Sequence, residues 1–280
     1  MKFWISVLIV SLYMLHCLRI GTKPCKYFQL NVDRFDADKG IFSKIAIDRS
    51  IPDEWRLDQR YDDGAFMPDQ WPVFLKPEWG QNAAGVQCAR SPEELSAIRG
   101  RIRHSRIRYL VQAPAPEPRE YEVFSIRHHE DPERYAVLTV TETLNDAEEI
   151  PINGVFNPNS RYRDLTDDLD GTQKERLWAM SNRLGTHVIC RACYRAESLA
   201  DLVAGRVHVI EVNLYLPMPI NLLDRGRPAA KILVLVNRYM LALARATKAR
   251  ESSRPEKPVF TKINLYNRES PLLNYLRDRI

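Results

Sequence analysis

Apolar and polar positions alternate along this chain in changing rhythms, and each change marks a new element. Residues 3–18, FWISVLIVSLYMLHCL, are apolar on every side, which predicts a helix. Residues 27–70 are polar, with breakers at DRFDADKG and RYDDG, and FSKIAIDRSIP (42–52) places Lys44 at the head of a short helix ended by Pro52. From residue 72 the texture becomes strand-like: VFLK comes first, then a helix opened by Ser91 and Pro92 with Glu93 and Glu94 close behind, an N-cap signature. RYLVQAP (108–114), REYEVFSIR (119–127) and RYAVLTVTETL (134–144) alternate and are rich in Val, Tyr, Phe and Thr, which predicts an antiparallel meander covered by helices. Residues 145–172 read as loop, and TQKERLWAMSNRLG (172–185) as an amphipathic helix stopped at Gly185. THVICRACYR (186–195) and RVHVIEVN (206–213) read as strands joined by a helical turn, and residues 229–250 as a long helix with a wide apolar face. Pro255, Pro258 and Pro271 leave room for one short final helix. The fold class is α+β.

Composition narrows the functional classes. With 280 residues, 45% hydrophobic and 28% charged, the chain can bury a sizeable core in one large or two smaller domains. The formal charge of +5 is spread without a basic run, which suits phosphate-bearing small molecules and argues against a nucleic-acid partner. Cys17, Cys25, Cys88, Cys190 and Cys193 are an odd, scattered set, as expected of reduced thiols in the cytoplasm. The 3–18 segment is shorter than the roughly 20 residues that cross a bilayer. Arg19, Lys23 and Lys26 follow it where an export signal would carry a cleavage site. Two readings stay open, a helix associated with the inner membrane surface and a buried helix.

The chemistry-bearing residues are dispersed. In VHVIEVN, alternation puts Val209, Glu211 and Asn213 on one strand face, a carboxylate and a carboxamide suited to Mg2+. The same rule puts Arg191, Cys193 and Arg195 on one face, turned toward Glu211 if the two strands pair antiparallel. Two other constellations are set aside: CRAC (190–193) has no second C-x-x-C, and RHHED (127–131) reads as a hairpin loop. No G-x-S-x-G, H-E-x-x-H or Walker lysine is present.

Taken in order, SK ending at Lys44, LKPEWGQNAAGV, YLVQ, EYEVFSIR, RACYR and EVNLYLPMPINLLD resemble the ATP-grasp superfamily, in its D-alanine–D-alanine ligase-like subgroup with an apolar N-terminal helix. The resemblance spans roughly residues 3–245 and rests on order and spacing at six points. It implies an ATP-grasp fold with antiparallel sheets covered by helices. Residues 1–25 would be the apolar helix, 26–70 a short N-terminal region, 71–250 the ATP-grasp domain and 251–280 a C-terminal extension. It implies ATP and Mg2+ as cofactors and a small-molecule or peptide carboxylate as substrate, joined to an amine through an acyl phosphate. Lys44 and Lys76 would meet the nucleotide phosphates, with Gly80 and Gly85 bracketing the loop over them. Gln112, Ala113 and Pro114 would line the adenine pocket, Glu120 would accept from the ribose, and Glu211 and Asn213 would hold Mg2+. Arg127 and Arg191 would meet phosphate or substrate carboxylate as catalytic residues. The chain departs from the pattern where Cys193 stands in place of a metal-binding aspartate, and a neutral thiol is a poor Mg2+ ligand. Its glycine loop, with QNAA, also holds fewer glycines and charges. The alternative is therefore a degenerate, non-catalytic nucleotide-binding or interaction protein.

Overall fold

The computed structural model of the chain describes residues 2–250 and 256–269. Helix α1 (Lys2–Ile20) leads through short turns to α2 (Lys44–Asp48) and strand β1 (Gln59–Tyr61). Strands β2 (Val73–Pro77) and β3 (Gln87–Ala89), helix α3 (Pro92–Ile102) and strand β4 (Tyr109–Gln112) come next. They are followed by β5 (Arg119–Arg127), β6 (Tyr135–Leu144), β7 (Arg161–Asp164), α4 (Gly171–Arg183), β8 (Ile189–Ala196) and α5 (Leu199–Ala204). Strand β9 (His208–Asn213) and helices α6 (Ala229–Arg250) and α7 (Val259–Glu269) end the described chain.

The strands form two antiparallel sheets, β1-β4-β2-β3 and β7-β6-β5-β8-β9. The expected α+β class, with antiparallel sheets, covering helices and an apolar N-terminal helix, is the one observed. The expected single meander through β4, β5 and β6 is not. Only β5 and β6 pair, while β4 lies between β1 and β2 in the other sheet. Between β4 and β5 runs APAPEP (113–118), where Pro114, Pro116 and Pro118 lack the N–H groups of a paired strand. An extended connector carries the chain from one sheet to the other instead.

Two segments expected to be polar connections contribute to the packed structure. Residues 27–70 supply β1 and bury Leu30, Val32, Phe35, Ile41, Phe42 and Trp55. Residues 145–172 supply the edge strand β7. Their apolar residues follow no regular period, so no pattern announced these elements.

One face of the five-stranded sheet is covered by α4 and α5, burying Tyr121, Val123, Leu138, Trp178, Tyr194 and Val209 in one core. The other face is apolar at one end, where Phe124 and Ile126 meet α6, and polar at the other, where Glu120 and Glu122 stand. Helix α1 packs on α6 through Ile5, Tyr13 and Cys17 against residues such as Val236 and Met240. Its Tyr13 and Thr247 hydroxyls are 3.0 Å apart, and His16 Nε2 lies 3.0 Å from Asn237 Oδ1. Phe3, Val7, Val10, Met14 and Leu18 face outward, so one face of α1 is buried and the other is an exposed apolar stripe. All five cysteines are free thiols. Of the C-terminal extension, α7 docks Val259 and Ile263 into the core, while 251–255 and 270–280, with Pro255 and Pro271, lie outside the described residues.

Candidate functional site

The polar end of the larger sheet and the inner face of the smaller one enclose a cavity of about 570 Å3. A bulge in β9 links the two sheets. Glu211 pairs with Cys193 and Val209 with Tyr194, so Ile210 has no partner on β8. The Ile210 carbonyl accepts from Gln112 Nε2 at 3.2 Å and from Lys76 Nζ at 3.5 Å. Strict alternation placed Val209 beside Glu211, but the bulge turns Val209 into the core, where it is fully buried, and brings Ile210 to the cavity wall.

Lys76 stands on β2 and is 7% exposed, with its ammonium also donating to Gln112 Oε1. Burial pushes its pKa down to about 8, against the pull of Glu211, with Lys44 adding to the decrease. Lys44 arrives from α2, whose N-cap Ser43 accepts from the Ala46 N–H. Ser43 Oγ in turn donates to the buried Glu78 at 2.5 Å, and the Lys44 backbone N–H donates to the Glu78 carbonyl at 3.2 Å. Although burial opposes it, hydrogen bonds from Lys39, Ser43 and Tyr61 hold the Glu78 carboxyl below its ordinary range. Lys44 Nζ reaches the carbonyls of Gly80 at 3.1 Å and Pro77 at 3.4 Å, and lies 3.3 Å from Glu211. Although burial opposes it, Lys44, Lys76 and Arg191 hold the Glu211 carboxyl below the usual range.

The glycine loop forms one lip of the cavity. Asn82, Ala83 and Gly85 all have left-handed φ values of 55°, 58° and 77°. Asn82, Ala83 and Val86 line the cavity, while Gly80 acts through its carbonyl and Gly85 through its backbone conformation. The facing lip is residues 145–155, stiffened by Asn145, Asn157 and Asn159, which donate to Glu148 at 2.9–3.2 Å. Gly154 lies so close to the glycine loop that a Cβ there would stand 3.0 Å from the Asn82 carbonyl.

Gln112, Ala113 and Pro114 line the cavity where the connector begins. Glu117 farther along the connector is 2.8 Å from His208 Nδ1, which ties it to β9. Glu120 also lines the cavity, bound by Arg195 at 3.0 Å and by Asn153 Nδ2 at 3.0 Å. Strands β8 and β9 pair antiparallel, which brings Cys193 opposite Glu211 and Arg191 opposite Asn213. Asn213 Nδ2 lies 3.8 Å from Cys193 Sγ. Burial raises the Cys193 pKa well above its ordinary value, so the thiol stays neutral.

Glu122, which the sequence reading passed over, faces Cys193 from β5. Burial pushes its carboxyl up to about 7, opposed by Arg191 and reinforced by Glu120 and Glu211. Its only sequence signal was parity with Glu120 on a strand whose two faces both bury side chains. Tyr162, Glu148 and Asn153 were also missed, because the segment that holds them has no period.

Arg127 is not brought to the cavity, and its place does not fit the expected catalytic role. Its guanidinium donates to the His187 carbonyl at 3.0 Å, to Asn182 Oδ1 at 2.7 Å and to the Pro132 carbonyl, and it stacks on Trp178. Arg127 lies five positions after Glu122 along β5, which carries it to the far end of the strand. Arg127→Ala is expected to lower stability by about 1–3 kcal/mol through lost hydrogen bonds and packing. It should leave any nucleotide-induced rise in melting temperature intact, and thermal melts with and without ATP measure both effects.

The residues present fit a hard divalent cation in part. Glu211, Asn213 and Glu122 offer oxygen donors around Cys193, although no three His, Cys, Asp or Glu side chains form a ready metal cage among the described residues. No family model matches the chain, and no curated protein matches it. Among solved structures it is similar to D-alanine–D-alanine ligase from Bacillus anthracis complexed with ATP, at 14% identity over 75% of this chain and 67% of that one, with TM-score 0.46. It is similar to D-alanine–D-alanine ligase from Helicobacter pylori at 15% identity over 76% and 59%, with TM-score 0.45. It is also similar to L-amino acid ligase from Bacillus licheniformis at 14% identity over 79% and 50%, with TM-score 0.46. The chain thus spans half to about two thirds of these proteins' lengths, and each likeness is one of fold.

Proposed function

We propose that the cavity between the two sheets binds ATP with Mg2+ and that the chain is an ATP-dependent ligase joining a carboxylate to an amine. The observation that carries this reading is the convergence of Lys44 and Lys76, from separate elements, on the carboxylate of Glu211 at one wall of a polar cavity. Two ammonium groups on one wall of the cavity offer charged donors that a polyphosphate would satisfy. The two lips supply a cover that excludes water from a transferring phosphoryl group. The prolines of the connector hold an extended wall for a flat base, and Glu120 is placed to accept from ribose hydroxyls.

When bound, Mg2+ would neutralise phosphate charge, with Glu211 and Asn213 as its protein ligands. In the proposed reaction, a substrate carboxylate oxygen attacks the γ-phosphorus and the bond to ADP breaks. The amine nitrogen then attacks the acyl carbon, inorganic phosphate leaves, and the nitrogen releases its proton. Lys44 and Lys76 bind and orient the phosphates throughout, so the protein's share is mainly positioning and charge stabilisation. Arg191, beside Glu211 and half-buried at the cavity wall, is placed to meet the developing acyl phosphate.

A thermal-shift titration tests the binding step. At ATP-Mg2+ a hundredfold above Kd the native state should gain about 2.7 kcal/mol, a rise of several degrees. No rise at millimolar nucleotide would sink the proposal. Binding without ADP release against a mixture of carboxylate and amine acceptors would favour the non-catalytic reading, for which Cys193 is the motivating observation.

A further inference from the structure

The neutral Cys193 breaks the expected set of metal ligands, yet the structure supplies a carboxylate beside it. Glu122, Cys193 and Glu211 form one row across β5, β8 and β9, paired residue to residue. Side chains directly opposite on neighbouring strands start about 4.5–5.5 Å apart, so a glutamate can lean over a small neighbour to the space above the next strand. The Glu122 side chain reaches β8 diagonally: its Oε2 lies 2.8 Å from Nε of Arg191, two residues along β8 from Cys193. The contact is electrostatic only, for neither Glu122 Oε2 nor Arg191 Nε has an aligned hydrogen-bond partner. Glu122 is 8% exposed and lines the cavity, so it is a buried carboxylate beside the expected cation position, held by an ion pair without an aligned hydrogen bond on Oε2.

We infer that Glu122 replaces, from the neighbouring strand, the carboxylate that Cys193 removes from β8, and that Glu122, Glu211 and Asn213 together hold a hard divalent cation. This rests on the nucleotide-site reading above and deepens it. Three oxygen donors from the two strands that flank β8, Glu122 on β5 and Glu211 and Asn213 on β9, leave the remaining coordination positions to phosphate oxygens and water, the usual Mg2+ arrangement. Cys193 then serves as a small spacer that lets the longer glutamate reach across, and its thiol is not a ligand.

Mn2+ binding to the full chain, followed by electron paramagnetic resonance with and without ADP, tests this without any turnover. Glu122→Gln should weaken Mn2+ binding at least tenfold, Cys193→Ser should leave it unchanged, and Cys193→Asp in the Glu122→Gln background should restore it. Glu122→Asp, which keeps the charge but draws it back over β5, should weaken binding severalfold and covers the case in which Glu122→Gln does not fold. Unchanged Mn2+ affinity in a folded Glu122 variant, or loss of affinity in Cys193→Ser, would overturn the inference. The thermal shift with ATP-Mg2+ separates the two readings. Its absence in the unsubstituted chain counts against the nucleotide site, whereas an ATP-Mg2+ shift combined with Glu122-independent Mn2+ binding counts against the Glu122 ligand alone.

Discussion

Replacing Lys76 by Met is expected to weaken ATP binding about 10- to 100-fold, the loss of one hydrogen bond to a charged group worth roughly 1.5–3 kcal/mol. The same change should leave the protein as stable as before or more so. Burial lowers the Lys76 pKa to about 8 from an ordinary 10.5, so between those values the unfolded chain holds the proton that the folded chain has released. Stability therefore rises with pH across that window, and below it the folded state carries the cost of a buried ammonium. Methionine fills a similar volume without that charge. Calorimetric titration and thermal melts check both halves, and undiminished ATP affinity in the Lys76→Met variant would exclude Lys76 from the phosphate site. In the unsubstituted chain, ATP affinity should fall as pH rises through about 8, since the free protein then loses the charge that the phosphates attract. Proton uptake on binding, seen as a buffer-dependent enthalpy above that pH, is the accompanying signature; the variant should show neither effect.

The second large effect concerns helix α1, whose two faces should respond differently to substitution. Ile5 is fully buried against the α6 cluster, and Ile5→Ala should cost about 2–5 kcal/mol by leaving a cavity. Val10 points outward at 60% exposure, and Val10→Gln should change stability by no more than about 0.5 kcal/mol. Urea unfolding monitored by circular dichroism measures the difference. Equal losses at both positions would mean that the packing of α1 on α6 is wrong. Packing on α6 thus accounts for one side of this helix, and its other side is an exposed apolar stripe.

Local chemistry in the sequence determined several elements almost to the residue. Ser91-Pro92 marked the start of α3, Gly185 lay just beyond the end of α4, and the alternation of REYEVFSIR and the apolar face of 229–250 gave β5 and α6 their spans. Lys44, Lys76, Gln112, Glu120 and Glu211 could be picked out because the family resemblance matches motifs in order along the chain, and the fold brings all five to one cavity. What only the tertiary structure decided was whatever depends on pairing between distant strands. The proline connector sends β4 to a different sheet from β5, a choice made by long-range pairing and invisible to a period-2 pattern. The β9 bulge redirects Val209 and Ile210, because alternation holds only while the ladder keeps its register. Arg127 matched the motif by spacing, but its position along β5 ties it to Asn182 and Trp178 instead of the cavity. Glu122 falls on an unspecified position of the EYEVFSIR motif, and its place across from Cys193 exists only because β5 and β8, some seventy residues apart in sequence, lie side by side.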